Sequence, residues 1–327
     1  MTKHRALIFV AITALLLPPI VAEYFNQPYY IGLATRILIF AIAASSLNLL
    51  LGYGGMLNFG HAAYLGIGAY TVAILAHHHD SKALLLNLIL GTTNAWIAWP
   101  CAALVSGLCA WIIGAISLRT RDVYFVMITL AFAQMFYYFF VSLQAYGGDD
   151  GLNIARRSEL GLGIDLASDK TFYFVVAPCY VLLAYLFQRL SLARFGHALQ
   201  GIRHNESRME AIGFPTYRLK LVCFVIGGVI AGFAGALLAN LNSFISPNTL
   251  HWTQSGTLLI MIIIGGVGHL FGGLIGAAIL ILMEEILSGC TQHWQLGLGI
   301  VLLGIVFFAP RGVARMFERA KDRGQRT

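Results

Sequence analysis

The sequence predicts an all-α integral membrane protein: a bundle of about ten transmembrane or partly spanning helices, some broken at glycines, with both termini in the cytoplasm. Of the 327 residues, 58% are hydrophobic and only 11% are charged, against about 25% charged in soluble domains. Several windows of about 20 residues carry no charge, which is the length that a bilayer requires of a helix. The apolar runs are also too continuous for the alternating strands of a membrane β-barrel.

Apolar runs follow one another along the whole chain, separated by short polar or glycine-rich joins. The first run follows Lys3 and Arg5 and is expected to be retained as a helix, since no cleavage site of small residues precedes Glu23. The arm that begins at Thr257 is short for a crossing, so eight or nine spans are alternatives to ten. The predicted spans are 6–22, 31–51, 57–76, 96–118, 123–143, 172–187, 221–242, 257–264, 274–287 and 294–309.

Two joins are rich in glycine. Gly52, Gly54 and Gly55 separate the second and third spans and predict a tight turn or a helix broken at the membrane. Irregular backbone at that depth needs protein or water around it. The segment 265–273 separates two apolar arms in a similar way, and its spacing of glycine and phenylalanine faintly repeats that of the first join. The segment 83–91 is ambiguous and is assigned no span.

Orientation follows from the basic residues, because cytoplasmic loops of membrane proteins carry an excess of Lys and Arg. With ten crossings and the N-terminus inside, the acidic loop 144–170 falls outside, whereas the basic loop 189–220 and the tail 311–327 fall inside. This arrangement places 16 of the 21 basic residues in the cytoplasm, namely Lys3, Arg5, Arg119, Arg121, Arg189, Arg194, Arg203, Arg208, Arg218, Lys220, Arg311, Arg315, Arg319, Lys321, Arg323 and Arg326.

No pattern of residues indicates enzyme chemistry. The chain has no Gly-Lys dipeptide and so lacks the phosphate-binding loop of ATPases; we expect no catalytic residue and no bound cofactor. The polar run from His77 to Asp80 is expected to be a solvated loop rather than a metal site. The five cysteines form no Cys-x-x-Cys pair and are expected to pack as small apolar residues. The net charge is +7, but the basic residues lie at the ends of apolar segments. There they indicate the orientation of the chain in the membrane and not nucleic-acid binding.

Polar residues within the apolar segments are costly unless they face the bundle interior or a cavity, and four of them are the best candidates for function. They are candidates for lining a polar pathway through the membrane. The alternative is that they form hydrogen bonds between helices and fix the packing, at about 0.6–2 kcal/mol per contact. The four are Asn48, Asn58, His61 and Gln134.

The segment from Gly201 to Lys220 contains a polar helix with marked ends, placed between two long apolar runs. Asn205 is suited to the N-cap, Gly213 to a left-handed stop at the C-terminus, and Pro215 follows two residues later. About two turns of helix are predicted between the cap and the stop. Because the charge pattern places them in the cytoplasm, a soluble partner protein could reach them.

Two stretches around the first glycine join carry a specific pattern, Asn48-Leu-Leu-Leu-Gly-Tyr-Gly-Gly55 and Asn58-Phe-Gly-His-Ala-Ala-Tyr-Leu-Gly-Ile-Gly-Ala-Tyr70. Together with later stretches, they resemble the LivM-type permease subunit of branched-chain amino acid ABC importers. The resemblance covers nearly the whole chain, with the motifs in the expected order. The later stretches are 147–153, 194–196, 202–206, 210–213, 265–268 and 310–312.

This resemblance implies a single transmembrane permease domain over residues 1–327, a transporter subunit and not an enzyme, in the bacterial cytoplasmic (inner) membrane. It implies as partners a second homologous permease that shares the substrate pathway, two cytoplasmic ATPase subunits that use ATP, and an extracytoplasmic solute-binding protein. The capped helix is similar to the coupling helix of these importers. The residues that the resemblance assigns to ATPase coupling are Arg203, Asn205, Glu206, Glu210, Ala211 and Gly213.

The implied cargo is a branched-chain or related amino acid. Related importers carry urea, amides or small aromatic acids, which stay open as alternatives because selection lies largely in the binding protein. The rival class is a self-sufficient secondary transporter or channel. It is disfavoured because acidic residues are almost absent from the spans: only Glu284 and Glu285 occur there, and they lie toward the outer end of the span 274–287.

Overall fold

The computed structural model describes residues 27, 29–81, 84–85, 89–161, 166–290, 293–308 and 312–313. The predicted first span 6–22 and most of the predicted tail 311–327 lie outside these residues. Long helices joined by short segments make up the architecture. They are α1 (Tyr29–Asn48), α2 (His61–Ser81), α3 (Ala95–Ser117), α4 (Asp122–Ser142), α5 (Asp169–Leu192), α6 (Arg194–His204), α7 (Glu206–Ala211), α8 (Thr216–Asn242), α9 (Trp252–Gly265), α10 (Gly272–Cys290) and α11 (Trp294–Phe308).

Every predicted span that lies within the described residues overlaps a helix, although residues 57–60 of the third span precede α2; the helical membrane fold is confirmed. Six of the described helices are long and apolar enough to cross a bilayer: α1 with the turn that follows it, α3, α4, α5, α8 and α10. α9 and α11 are shorter, and α2 is long enough but has histidines at both ends. The total of about ten spans and the cytoplasmic location of the termini stay predictions.

The basic loop 189–220 differs from its prediction because most of it is helical. α5 extends to Leu192, and α6 then precedes the predicted capped helix. The short arm predicted at 257–264 is part of α9, which begins at Trp252 and has 14 residues. Residues 77–81 also continue α2 by a further turn instead of forming a loop.

Two small antiparallel strand pairs supplement the helices and were not predicted. β1 (Leu84–Leu85) pairs with β2 (Ile89–Leu90), and β3 (Leu152–Asn153) pairs with β4 (Phe244–Ile245). The second pair attaches the acidic loop 144–170 to the chain that leaves α8. Strands of two residues carry no recognisable period, which is why the sequence did not reveal them.

The centre of the bundle is a close crossing of α2, α3 and α8. Residues 61–70 of α2 are all buried. A Cβ added at Gly68 would lie 2.6 Å from the carbonyl carbon of Gly232 in α8, so the two helices are in backbone contact. Small residues permit such an approach, which is the usual means of packing helices in membranes. Ser106 of α3 joins the crossing by donating a hydrogen bond to the Tyr64 carbonyl oxygen, at 3.0 Å.

The joins between helices sort into two groups at opposite ends of the bundle. In one group, Arg203 of the basic loop contacts Gly52 of the first glycine join. In the other, His78 at the end of α2 is hydrogen-bonded to Tyr146 of the acidic loop at 3.0 Å, beside the β3–β4 pair. This is the grouping that the charge pattern predicts. The assignment of the basic end to the cytoplasm stays a prediction.

Arg157 fastens the acidic loop to the bundle. Its guanidinium donates to the carbonyl oxygens of Leu166, Ala167 and Leu241 at 3.1–3.3 Å. It also forms an ion pair with Asp169 in the first turn of α5, at 2.7 Å. Only 15% of the Arg157 side chain is exposed, so these partners replace the water that a free guanidinium would bind.

Candidate functional site

The predicted polar helix is present as α7. Asn205 caps its start, where the side-chain Oδ1 accepts a hydrogen bond from the backbone N–H of Arg208 at 2.9 Å. Gly213 follows its end with a φ of +89°, a conformation that favours glycine. The cap and the stop are both confirmed, and they fix the length and exit of the helix.

The two acidic residues of α7 are bound to the beginning of α8. Glu206 forms an ion pair with Lys220, with 2.5 Å between Oε1 and Nζ. The Glu210 carboxylate accepts a hydrogen bond from the Thr216 hydroxyl at 2.9 Å. Because both carboxylates are engaged within the chain, they join α7 to α8 as one unit. A displacement of α7 therefore displaces the start of the 27-residue α8.

An exposed apolar surface follows α7 directly. Its large side chains are Ile212, Phe214 and Tyr217, of which 64%, 42% and 37% are exposed. We call these three residues the apolar tip. In the predicted topology the tip faces water rather than lipid, and a contiguous apolar surface in water indicates a site of protein contact. The small residues Ala211 and Gly213, on either side of Ile212, are also exposed.

The two glycine-rich breaks meet at the same end of the bundle. α1 continues as a π-helical turn, Leu49–Tyr53, and a Cβ added at Gly52 would lie 2.6 Å from the backbone nitrogen of Gly268. Asn48 holds the contact: its Nδ2 donates to the His269 carbonyl oxygen and its Oδ1 accepts from the Gly268 N–H, each at 2.8 Å. We call this contact between Asn48, Gly52, Gly268 and His269 the glycine junction.

Arg203 reaches the glycine junction from α6. One guanidinium nitrogen donates to the Gly52 carbonyl oxygen. The aliphatic part of Arg203 lies against Gly55, where an added Cβ would be 3.0 Å from Arg203 Cγ. A cavity of about 420 Å³, lined in part by Gln200 and His204, lies beside this contact. The guanidinium is therefore placed against its own chain, although the resemblance assigned Arg203 to ATPase coupling.

Of the predicted pathway residues, His61 begins α2 and Asn58 lies three residues before it, outside the helix, and both are fully buried. His61 Nε2 lies 2.7 Å from the Ser46 hydroxyl, which is itself 2.7 Å from the Ala43 carbonyl oxygen. Because the hydroxyl has one hydrogen to give to that carbonyl, it accepts from His61 Nε2. Asn58 Oδ1 accepts from the Gly60 N–H at 2.8 Å. Within the described residues, His61 Nδ1 and Asn58 Nδ2 have no hydrogen-bond partner.

Gln134, the fourth predicted pathway residue, is half-buried on α4. Its Nε2 is buried without a partner among the residues that the structure describes. α4 is the least buried of the six candidate membrane helices. Tyr124, Met127, Met135 and Tyr138 are exposed on it at helical spacing. The structure thus places Asn58 and His61 in the buried segment that begins α2, places Gln134 half-buried on the most open helix, and uses Asn48 to join the breaks.

Several residues of this site were not found from the sequence. Ser46 and Lys220 gain their roles only from contacts with His61 and Glu206, and a single polar residue at a helix end gives no signal of such a contact. α6 could have been found, since its buried residues Ala198, Leu199 and Ile202 have helical spacing on a polar background.

The chain is similar to known membrane permeases over most of its length. The family model described as "Branched-chain amino acid transport system / permease component" matches residues 29–309. The LivM permease protein of the high-affinity branched-chain amino acid transport system of Salmonella typhimurium is 26% identical over 309 residues, covering 88% of this chain and 70% of the relative. The LivM protein named as probable in Methanocaldococcus jannaschii is 24% identical, covering 84% and 90%.

A second kind of relative also matches. The LivH permease protein of the same system in Escherichia coli is 22% identical over 306 residues, covering 89% of this chain and 95% of the relative. No solved structure matches the chain. The family model covers most of the sequence, including both glycine-rich breaks and the α7 region. The chain therefore belongs to the family of branched-chain amino acid transport system permease components.

Proposed function

We propose that this chain is the membrane-spanning subunit of an ATP-driven importer for branched-chain or related amino acids in the bacterial inner membrane. The exposed apolar tip beside α7 is the observation that supports it most directly, in a chain without a phosphate-binding loop of its own. Residues 1–327 act as one permease domain. The energy comes from two cytoplasmic ATPase subunits, each of which holds one permease at its α7.

The coupling step follows from the contacts of α7. ATP binding draws the two ATPase subunits together, and a groove on each subunit encloses the apolar tip with Ala211 and Gly213. Glu206 and Glu210 act from within the permease, since they transmit the movement of α7 to α8. Asn205 fixes the angle at which α7 begins. The tilt of α8 then changes which end of the pathway is open.

Two further partners complete the transporter. Both LivM and LivH relatives match this chain, which supports pairing with a second, homologous permease. The solute-binding protein docks on the acidic loop 144–170, where Asp149 and Asp150 are exposed. Arg157 gives this loop a fixed position, and exposed carboxylates steer a partner that carries basic residues.

The substrate pathway in this proposal runs beside α4 and the start of α2. An unpartnered polar atom is costly in a membrane interior unless water or substrate reaches it. Asn58, His61 and Gln134 each keep such an atom. Asn48 supports the pathway from a distance, since both ends of its amide are engaged in the glycine junction.

The apolar tip gives the test of the proposal. We expect the double substitution Ile212→Asp with Phe214→Asp to leave a folded, membrane-inserted protein, because both side chains are exposed. Binding of the ATPase should fall at least about thirtyfold, since truncating one buried interface anchor costs about 2 kcal/mol or more. The measurement is the amount of ATPase subunit that co-purifies, identified by mass spectrometry of its phosphate-binding loop peptide, together with uptake of labelled leucine.

A matched control places the same charges elsewhere on the chain. Leu296 and Ile300 of α11 are exposed, but in the proposed orientation they face lipid, where an added carboxylate would disturb membrane insertion. Thr253→Asp with Gln254→Asp, at the polar start of α9, adds two carboxylates away from the tip and should retain the ATPase. Unchanged ATPase recovery with the tip variant would refute the docking assignment.

The pathway assignment has its own test in Gln134→Leu. This change keeps the side-chain volume on α4 but removes the unpartnered amide. We expect an unchanged melting temperature and a KM for leucine uptake raised about tenfold, the effect of losing one hydrogen bond of about 1.4 kcal/mol to a substrate. Gln254→Leu, at an equally half-buried position on α9, is the control. Identical kinetics for the two variants would remove Gln134 from the pathway.

A further inference from the structure

At the Gly52 carbonyl oxygen, a charged side chain of the basic loop meets the first helix break. The backbone hydrogen bonds that close the first break end on the carbonyl oxygens of Leu49, Leu50 and Leu51. The next carbonyl, that of Gly52, accepts from Arg203. The last carbonyls of a helix lack partners within it and carry partial negative charge, so a guanidinium there is favourable. Arg203 thus acts as a charged cap on the end of α1.

The same carbonyl group also lies against the second break. A Cβ added at Gly268 would be 3.3 Å from the Gly52 oxygen and 3.7 Å from the nearest guanidinium nitrogen of Arg203. Asn48 holds the Gly268 N–H. Arg203 therefore contacts the end of α1 directly and the α9–α10 join through the glycine junction. Movement of one guanidinium would be transmitted to three helices.

Arg203 is also close to the ATPase-facing end of the loop. It lies two residues before Asn205, the N-cap of α7, so any displacement of α7 displaces it. The carboxylates of Glu206 and Glu210 connect α7 to α8 alone. The hydrogen bond from Arg203 joins α6 to the first helix break.

We propose that Arg203 is a positioning residue that carries the displacement of α7 to both helix breaks through the Gly52 carbonyl, and that it is not a contact to the ATPase. The proposal rests on the coupling function and deepens it. Two linkages then leave α7: a carboxylate linkage to α8, and a guanidinium linkage to the end of α1 and the α9–α10 join. Loss of the second linkage should leave the ATPase bound and active but uncoupled from the pathway.

The test compares Arg203→Met with Arg203→Lys in the complete transporter, purified by a tag on this chain and reconstituted in liposomes. With Arg203→Met we expect normal recovery of the ATPase subunit and normal ATP hydrolysis, but about tenfold less leucine transported per ATP, within the usual range of coupling between linked sites. Arg203→Lys should recover part of this ratio, since it restores one charged donor. Arg194→Met removes the same charge from an exposed position of α6 and should leave the ratio unchanged.

Two results would overturn the proposal: loss of the ATPase subunit with Arg203→Met, which would make Arg203 a docking residue, or a transport ratio equal to that of Arg194→Met. Should Arg203→Met yield no folded complex, Gly55→Ala replaces it, because the added Cβ presses on the Arg203 side chain without removing its charge. Gly161→Ala, at the same φ of +69° in open space, gives the effect of backbone conformation alone on the melting temperature.

The Arg203 experiment and the apolar-tip experiment can fail independently of each other. If the apolar-tip variant keeps the ATPase, the coupling assignment of α7 fails, whatever Arg203 does. If the tip variant loses the ATPase and Arg203→Met loses it as well, the coupling function stands and the role given to Arg203 fails.

Discussion

Replacing Gly68 by valine is expected to destabilise the folded bundle strongly. The added Cβ would lie 2.6 Å from the Gly232 carbonyl carbon, and backbone cannot move aside as a side chain can. α2 and α8 would have to separate along the crossing that also holds Ser106. Overpacking that forces backbone shifts costs about 1–3 kcal/mol or more, which takes a large part of a typical stability of about 5–15 kcal/mol. The measurement is the fraction of monodisperse protein in detergent by size exclusion, with its melting temperature.

Gly32→Val is the control for that change. Gly32 is also a helical glycine, in α1, but a Cβ there meets no atom within 4 Å. We expect this variant to elute and melt as the unchanged protein does. A Gly68→Val protein that is equally monodisperse and melts at the same temperature would show that the crossing is not as close as the structure has it.

Arg157→Met is expected to release the acidic loop while leaving the membrane helices in place. The substitution removes the ion pair with Asp169 and the hydrogen bonds to three carbonyl groups. Loss of a charged, largely buried hydrogen-bonded group costs about 3 kcal/mol. We expect faster hydrogen–deuterium exchange at 152–161 and in the first turn of α5, and weaker uptake where the binding protein is limiting.

The neighbouring Arg156 provides the comparison, since Arg156→Met removes the same charge from an exposed position. Its exchange pattern should match that of the unchanged protein. Equal exchange in the two variants would mean that Arg157 does not hold the loop, and the fixed position assumed for docking of the binding protein would be lost with it.

Local chemistry decides what was predictable from the sequence. The helices over 95–117 and 122–142 follow from continuous apolar runs, and the ends of α7 follow from Asn205 and Gly213, each of which acts on its own backbone. These features need no knowledge of distant residues, and the structure places them within a few residues of the predicted positions. The breaks at Gly52 and Gly265 were predictable for the same reason.

The contacts that give the site its organisation were not predictable. Arg203 and Gly52 are 151 residues apart, and Asn48 and Gly268 are 220 apart. The sequence marks each of these residues as unusual for its surroundings, but it does not show which of them meet. The apolar tip was missed for a different reason: Ile212 and Phe214 resemble the ordinary apolar content of the chain until the fold shows that they are exposed.

The burial of α2 has a consequence for how the protein is made. Because residues 61–70 are covered by protein on every side, α2 gains little from lipid, and α2 is absent from the described helices that are apolar enough to cross by themselves. Its binding surface on α8 is synthesised more than 140 residues later. We therefore expect α2 to settle in the bilayer only after α8 has left the ribosome, so that biogenesis depends on a late helix to retain an early one.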